Sequence, residues 1–254
     1  MPLHTLRTLT GPERTTLGNR RLGRALAFVA GAVNAGGFFA VGQYTSHMSG
    51  VVSALADHAA LGELALLGAG LLSLAAFFAG AATSAILINW GRRRGAHSRY
   101  ALPLALEAAL LLLFGLMGSQ LAAQGMLSAT IALLCFVMGL QNAIVSKISR
   151  SEIRTTHVTG LVTDIGIELG KLVYWNAGPA RTGQPDGAPD RVCADRERLA
   201  MLSAMLAMFL CGGVAGALGF KVLGYSVTVL LALGLLLLSA IPFFDDVQAA
   251  RRRL

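Results

Sequence analysis

The sequence predicts an all-α membrane protein with six transmembrane helices, or seven if one short segment also crosses. Three observations lead to this fold class. Hydrophobic residues make up 55% of the chain and charged residues only 13%, whereas about a quarter of a soluble domain is charged. Apolar runs reach the ~20 residues that a helix needs to cross a bilayer. One polar motif occurs twice, which divides the chain into two related halves.

The repeated motif is a hydroxyl-rich run around one histidine and one glycine. Its first copy covers residues 45–53, Thr-Ser-His-Met-Ser-Gly-Val-Val-Ser, and its second covers residues 155–163, Thr-Thr-His-Val-Thr-Gly-Leu-Val-Thr. An asparagine precedes each copy, Asn34 in the first half and Asn142 in the second. Where the copies differ, serine replaces threonine or one aliphatic residue replaces another. We therefore expect each half to contain one polar break among apolar spans.

The apolar runs predict where the chain crosses the membrane. The six predicted spans cover 25–42, 64–90, 102–120, 126–145, 199–220 and 225–244. A shorter segment follows each motif, at 51–61 and at 161–175. Because the first is short and polar and the second is amphipathic, we predict a broken or re-entrant helix at each.

Basic residues determine the predicted orientation. Arginine and lysine cluster at both ends and in alternate loops, so the positive-inside rule assigns both termini to the cytoplasm. The predicted organisation is a basic cytoplasmic tail at 1–24, a first membrane repeat at 25–122, a second membrane repeat at 126–244 with a cytoplasmic loop at 176–198, and a basic tail at 245–254. Three spans per half would orient the halves oppositely, as in many transporters built from inverted repeats.

The net charge of +8 is explained by the same clusters. They sit beside apolar spans, so they predict anchoring in a lipid bilayer, and no nucleic-acid partner is expected.

The two motifs also carry a family resemblance. The segments 45–50 and 155–160, with Gly-Leu-Gln-Asn at 139–142 ahead of the second, resemble the YoaK-like family of bacterial inner-membrane proteins (domain of unknown function 1275). The resemblance covers most of the chain. It implies a multi-pass protein of the bacterial cytoplasmic (inner) membrane and no particular activity. The family's first motif more often reads Thr-Gly where this chain has Ser-Gly, and an aspartate common near the upstream asparagine is absent here.

The predicted site consists of the motif residues and their asparagines. These are Asn34, His47, Ser49, Gly50, Asn142, His157, Thr159 and Gly160. Histidine titrates near neutral pH, and polar residues within a membrane mark functional sites by default. We expect the two glycines to let a ligand approach the backbone and the hydroxyls of Ser49 and Thr159 to cap the short helices. A helix start favours an anion, so the expected ligand is a small polar or anionic solute.

A structural interpretation of the same residues stays open. Hydroxyls and histidines also satisfy the backbone ends of broken helices, which have no water to bind inside a membrane. Asn34 and Asn142 are equally consistent with hydrogen bonds between helices and with a role in a solute pathway.

These residues favour a small-solute transporter or channel with its site at the interface of two inverted repeats. A non-transporting membrane scaffold is the main alternative. An intramembrane enzyme is less favoured, because the motif is duplicated in similar form whereas catalysis needs different roles at one centre. Without a phosphate loop, a metal-spaced set of ligands or a nucleophile elbow in the sequence, we expect no enzymatic activity, no metal and no cofactor.

Helix packing gives three further expectations. The pairs Gly80/Ser84 and Gly212/Gly216 have the small-xxx-small spacing of close helix contacts. Glu107 is expected to reach the cytoplasmic surface or to pair with an arginine at 94 or 99. The two motifs are expected to meet at the interface between the halves, with their glycines within roughly 15 Å, about one and a half helix diameters.

Overall fold

The computed structural model of the protein describes residues 16–94, 99–148, 156–174 and 192–251, with side chains throughout except at 16, 17, 19, 121–123 and 241–251. Within these ranges the chain forms eight α-helices and no β-strand. The helices are α1 Thr16–Val41, α2 Met48–Leu61, α3 Leu64–Arg93, α4 Ala101–Ala123, α5 Leu127–Ile148, α6 Val158–Val173, α7 Arg196–Leu223 and α8 Val227–Arg251, with a 3-10 turn at Gly224–Ser226. The prediction of an all-α fold is confirmed.

Five helical stretches in the described part of the chain are long and apolar enough to cross a membrane. They are Arg20–Val41, Leu64–Arg93, Ala101–Gln120, Leu127–Ile148 and Arg196–Ala240, the last of which contains α7, the 3-10 turn and most of α8. The two short helices that follow the motifs have 14 and 16 residues, fewer than the ~20 needed to cross. The five long apolar stretches confirm the prediction of a membrane protein.

Three helix ends differ from the predicted boundaries. The first helix begins at Thr16, inside the predicted tail 1–24, because Leu22 packs in the core and Arg20 pairs with Glu197 of α7. The seventh begins at Arg196, inside the predicted loop, where the Asp195 side chain accepts a hydrogen bond from the helix start. The eighth continues through most of the predicted C-terminal tail. The glycine- and proline-rich part of the loop, 176–190, lies outside the described residues.

The long helices associate in three pairs. α1 packs along α7, α3 packs along α5, and α4 packs along α8. The first two pairs are parallel. Contacts of α1 with α7 advance from Phe28–Gly212 to Gly36–Phe220, and those of α3 with α5 advance from Ser73–Cys135 to Phe77–Gly139. The third is antiparallel: Gly115 lies at Thr228, whereas Gly118 lies at Tyr225. Each short helix packs on the long helix that follows it, and α1 also touches α5 near the centre of the bundle.

In both parallel pairs, the two helices cross where each contains a phenylalanine followed three residues later by a glycine. A Cβ at Gly212 of α7 would overlap the carbonyl oxygen of Phe28 in α1, and one at Gly80 of α3 would overlap that of Phe136 in α5. Glycines on the partner helices, at 31 and 139, meet phenylalanine carbonyls in return. The predicted small-residue contacts are thus real backbone-to-backbone crossings.

Candidate functional site at the starts of the short helices

Both short helices begin at the motif histidine. His47 is the N-cap residue of α2, with φ −87° and ψ 68°, and His157 is that of α6, with φ −84° and ψ 58°. Among the described residues, neither N-cap side chain accepts a hydrogen bond from its own helix. The expectation that Ser49 and Thr159 cap these helices is wrong, because both residues lie inside the first turn.

The motif glycines lie beneath the histidine rings. A Cβ at Gly50 would overlap the ring of His47, and a Cβ at Gly160 would overlap the ring of His157. In each copy the ring therefore folds back over the first turn of its helix. The glycine makes room for this ring, rather than leaving the backbone open to a ligand as the sequence suggested.

Each upstream asparagine holds the hydroxyl residue that precedes the histidine. The Ser46 hydroxyl donates to Asn34 Oδ1 over 2.7 Å, and the Ser46 N–H donates to the same oxygen over 3.3 Å. In the second half, Asn142 Nδ2 donates to Thr156 Oγ1 over 2.5 Å. These bonds tie α1 and α5 to the starts of the short helices.

Three hydroxyl residues of this site were absent from the predicted set: Thr45, Ser46 and Thr156. Thr45 is fully buried, and its hydroxyl has no hydrogen-bond partner within the described part of the chain. The signal that identifies Ser46 and Thr156 is present in the sequence, because a hydroxyl residue immediately precedes the histidine in both copies.

The start of α2 lies about half-way along α3. After the left-handed Gly62, with φ 72°, the chain reverses and α3 runs back beside α2. The Leu55 side chain packs against Gly70. Since both helices rise about 1.5 Å per residue, we infer that His47 is level with Phe77, near the helix crossing with α5.

The start of α6 has the equivalent position on α7. Asp164 binds Arg198 over 3.1 Å, and Leu161, nearer the helix start, shares an apolar cluster with Met205. Contacts closer to the start of α6 thus lie farther along α7, and the two helices run antiparallel. By the same rise per residue, the second motif histidine is level with the turn from Met205 to Phe209, next to the crossing with α1.

Several predicted site residues are accessible at this depth. His47, Ser49, His157 and Thr159 are exposed, and both asparagines are half-buried. Polar side chains are costly in hydrocarbon, so such positions favour a water-filled or protein-lined space over lipid. The contacts bring each asparagine to its own motif. The distance between the two motifs stays a prediction.

Charged residues link the C-terminal part of α6 to the start of α7. Glu168 is buried and accepts hydrogen bonds from Lys171 Nζ over 2.9 Å and from the Asp195 N–H over 2.8 Å. The hydrogen bond from Lys171, followed by that from Asp195, lowers the pKa of the Glu168 carboxyl. Glu168 and Lys171 thus pair within α6, and the Glu168 carboxyl is turned inward, away from solvent.

Glu107 is not at the surface. It is fully buried in α4, and both of its carboxyl oxygens have no hydrogen-bond partner among the described residues. Arg94 instead stacks over the Trp90 ring, with 4.7 Å between the guanidinium carbon and the ring centroid. The expectation that Glu107 reaches the cytoplasmic surface or pairs with an arginine is wrong, because the side chain points into the bundle.

Over the described ranges, the structure contains no cluster of three or more histidine, cysteine or acidic side chains suited to a metal ion.

Comparison with known families agrees with the resemblance carried by the motifs. The family model described as "Protein of unknown function (DUF1275)" matches residues 22–241, a range that contains both motifs and both parallel helix crossings. No curated protein and no solved structure matches the chain. The resemblance to domain of unknown function 1275 is therefore confirmed. The chain belongs to the DUF1275 family, a family of proteins whose function is unknown.

Proposed function

We propose that the protein is a small-solute transporter or channel of the bacterial inner membrane, with both termini in the cytoplasm. Its pathway would pass between the starts of the two short helices. One observation carries this proposal: both motifs form the same uncapped helix start at mid-depth in the bundle. In each, a histidine ring covers a glycine and an asparagine holds the preceding hydroxyl residue.

The proposed architecture is an inverted repeat of α1–α4 and α5–α8. The contact of α1 with α7 corresponds to that of α5 with α3, down to the matched phenylalanine–glycine crossings. Corresponding helices in an inverted repeat must run antiparallel. The Gln141 side chain donates to the Leu26 carbonyl, whereas Leu134 lies at Gly37, which supports an antiparallel α1–α5 pair. The antiparallel α4–α8 pair supports the same arrangement.

Six crossings fit this architecture. The stretch Arg196–Ala240 has 45 residues, and a straight helix of that length would be about 67 Å long, against a hydrocarbon core of ~30 Å. A reversal at Gly224, with φ 60°, divides it into two crossings, and the packing of Val227 against Gly219 supports this reversal.

With six crossings, reporter fusions at Arg99 and Asp186 should lie in the cytoplasm and one at Gln124 outside. A periplasmic signal at Asp186 would contradict six crossings.

The chemistry of the helix starts favours a polar or anionic solute. The first turns of α2 and α6 contain no acidic residue, so the positive end of each helix dipole is not offset there by a carboxylate of its own turn. Exposed histidines and hydroxyls next to these starts offer hydrogen-bond donors. We propose no catalytic step and no cofactor.

A membrane scaffold is the second candidate. The observation that favours it is the packing of each histidine ring on a glycine of its own motif, which is a structural contact. In that case the motifs only satisfy the polar ends of two helices that stop inside the membrane.

Solute flux into proteoliposomes separates the two candidates. The purified protein is reconstituted, and stopped-flow light scattering follows vesicle volume with a panel of small neutral and anionic solutes. We expect permeation of at least one solute, with a loss of tenfold or more in His47→Gln and His157→Gln. His58→Gln is the matched control, because His58 lies on α2 away from the motif and binds Glu63. Flux that is equal in all four proteins, or absent throughout the panel, would favour the scaffold.

A further inference from the structure

The buried carboxyl of Glu107 has no counter-charge among the described side chains of the helices that pack on α4. α4 packs against α3, α5 and α8. Charged residues on the first two, Arg92, Arg93 and Lys147, are exposed at helix ends. Among the described side chains of these elements, the remaining titratable groups are Cys135, which is buried in α5, and Tyr225, which packs against aromatic rings. On α8, the side chains described up to residue 240 include no charged group.

Two other buried oxygens lack partners on the helices that flank α4. They are Ser84 Oγ on α3 and Gln141 Oε1 on α5, neither of which has a hydrogen-bond partner in the part of the chain that the structure describes. The crossing of Gly80 with Phe136 brings Ser84 and Gln141 to similar depths. A tight turn joins α4 to α5, so the common rise per residue puts Glu107 within about one helical turn of that layer.

The atoms in this layer have an excess of acceptors over donors. An ionised Glu107 has two acceptor oxygens, and Gln141 Oε1 is a third, whereas the donors are the Ser84 hydroxyl and the two N–H groups of the Gln141 amide. The Gln141 amide already donates to the Leu26 carbonyl. Burial of an unpaired carboxylate is very unfavourable, whereas a neutral acid avoids the charge and gains a donor. A single added proton therefore removes the buried charge and gives the carboxyl a hydrogen-bond donor of its own.

The acid is not needed to pack the helix. In the proposed two-half architecture, residues 100–113 of α4 correspond to residues 225–238, since both begin with tyrosine and end with four leucines. Ala232 then occupies the position of Glu107 and is also fully buried. An alanine thus fills the corresponding place in the other half. Packing therefore does not require an acid at position 107, and the carboxyl is better accounted for by a chemical role.

We propose that Glu107 is a reversible proton-binding site inside the bundle. The carboxyl holds the proton in the conformation described. When the helices move and the carboxyl meets water, its O–H bond breaks as a water molecule takes the proton and becomes hydronium. In the reverse step a hydronium ion loses one O–H bond as the carboxylate gains one, and no electron is transferred. If the proposed transport function holds, this proton is the coupling ion, but the site itself does not depend on transport.

Infrared spectroscopy of the protein in lipid vesicles tests this site directly. At neutral pH we expect a carbonyl stretching band of a protonated carboxyl that disappears in Glu107→Gln. The band should remain in Glu168→Gln, the matched control, because Glu168 is a carboxylate paired with Lys171. We also expect the band to be lost at alkaline pH and to return on acidification. Glu107→Ala, which copies Ala232, is the second variant if the glutamine protein does not fold.

Three results would overturn the proposal. Without a band that depends on Glu107, the carboxyl is ionised. A band that persists at every pH until the protein unfolds means that the acid never exchanges its proton. Loss of the band on adding sodium chloride at constant pH means that the layer takes a metal cation in place of the proton. None of these readings requires a solute, so they are independent of the flux measurement that tests transport.

Discussion

The carbonyl oxygen of Phe28 lies directly against Gly212, so the backbones of α1 and α7 meet with no side chain between them. Gly212→Ala should therefore force the helices apart. We expect a cost of about 1–3 kcal/mol, the usual range for overpacking, and a similar cost for Gly80→Ala in the α3–α5 pair. Gly234→Ala is the control, because an added Cβ there meets no atom of the described residues within 4 Å. Unfolding of the detergent-solubilised protein followed by circular dichroism measures the difference; equal stabilities would contradict the crossing.

The contact between His47 and Gly50 predicts a non-additive pair. Gly50→Ala alone should destabilise the protein and displace the histidine ring. In His47→Ala the same glycine substitution should cost less, because the obstructing ring has been removed. Gly68→Ala serves as the control, since an added Cβ meets no described atom within 4 Å there. Free energies of unfolding for the four proteins of the cycle measure the coupling, and strict additivity would mean that the ring does not depend on the glycine.

The proposed interface between the halves predicts that the motifs are close. In a variant whose three cysteines are replaced, Ser49→Cys and Thr159→Cys should be joined by bifunctional thiol reagents spanning up to roughly 15 Å, about one and a half helix diameters. In the control variant, Asp57→Cys is used in place of Ser49→Cys and is paired with Thr159→Cys. Residue 57 lies two turns farther along α2, away from the helix start, so cross-linking to position 159 should be weaker. A stronger product with position 57 would contradict a shared site.

Glu168 predicts a loss of stability in acid. Its pKa is lowered in the folded protein by Lys171 and by the Asp195 N–H. The carboxylate therefore contributes stability above the ordinary glutamate pKa of 4.5, and this contribution disappears as the pH falls through the lower folded pKa. Thermal unfolding between pH 7 and pH 3 should show a smaller pH dependence in Glu168→Gln than in the parent protein. Asp57→Asn, at an exposed position, is the matched control.

The helices were predictable because apolar run length alone determines where a chain can cross a bilayer. The residues at which the helices begin and end were less predictable. The start of α1 depends on burial of Leu22 and on the ion pair of Arg20 with Glu197, a contact between distant parts of the chain. Such contacts leave no local pattern in the sequence.

The motifs were found by their duplication, but their internal geometry was not. Serine and threonine are usual N-caps, so the cap was assigned to them, whereas the histidine holds that position. The orientation of Glu107 was missed for a different reason. Around Glu107, α4 is apolar on every side, and its other polar residues, Ser119 and Gln120, lie near its C-terminal end. No face pattern therefore indicates which way the acid points.

The parallel pairing of α1 with α7 and of α3 with α5 has a consequence for how this protein is made. Each pair takes one helix from each half of the chain, and in the first pair α1 enters the membrane long before α7 is synthesised. Its glycine face must meanwhile contact lipid or the insertion machinery. Assembly of the core is thus delayed until the ribosome has nearly finished the polypeptide. A truncated chain that stops before residue 196 would leave this face uncovered, and we expect the cell to degrade it.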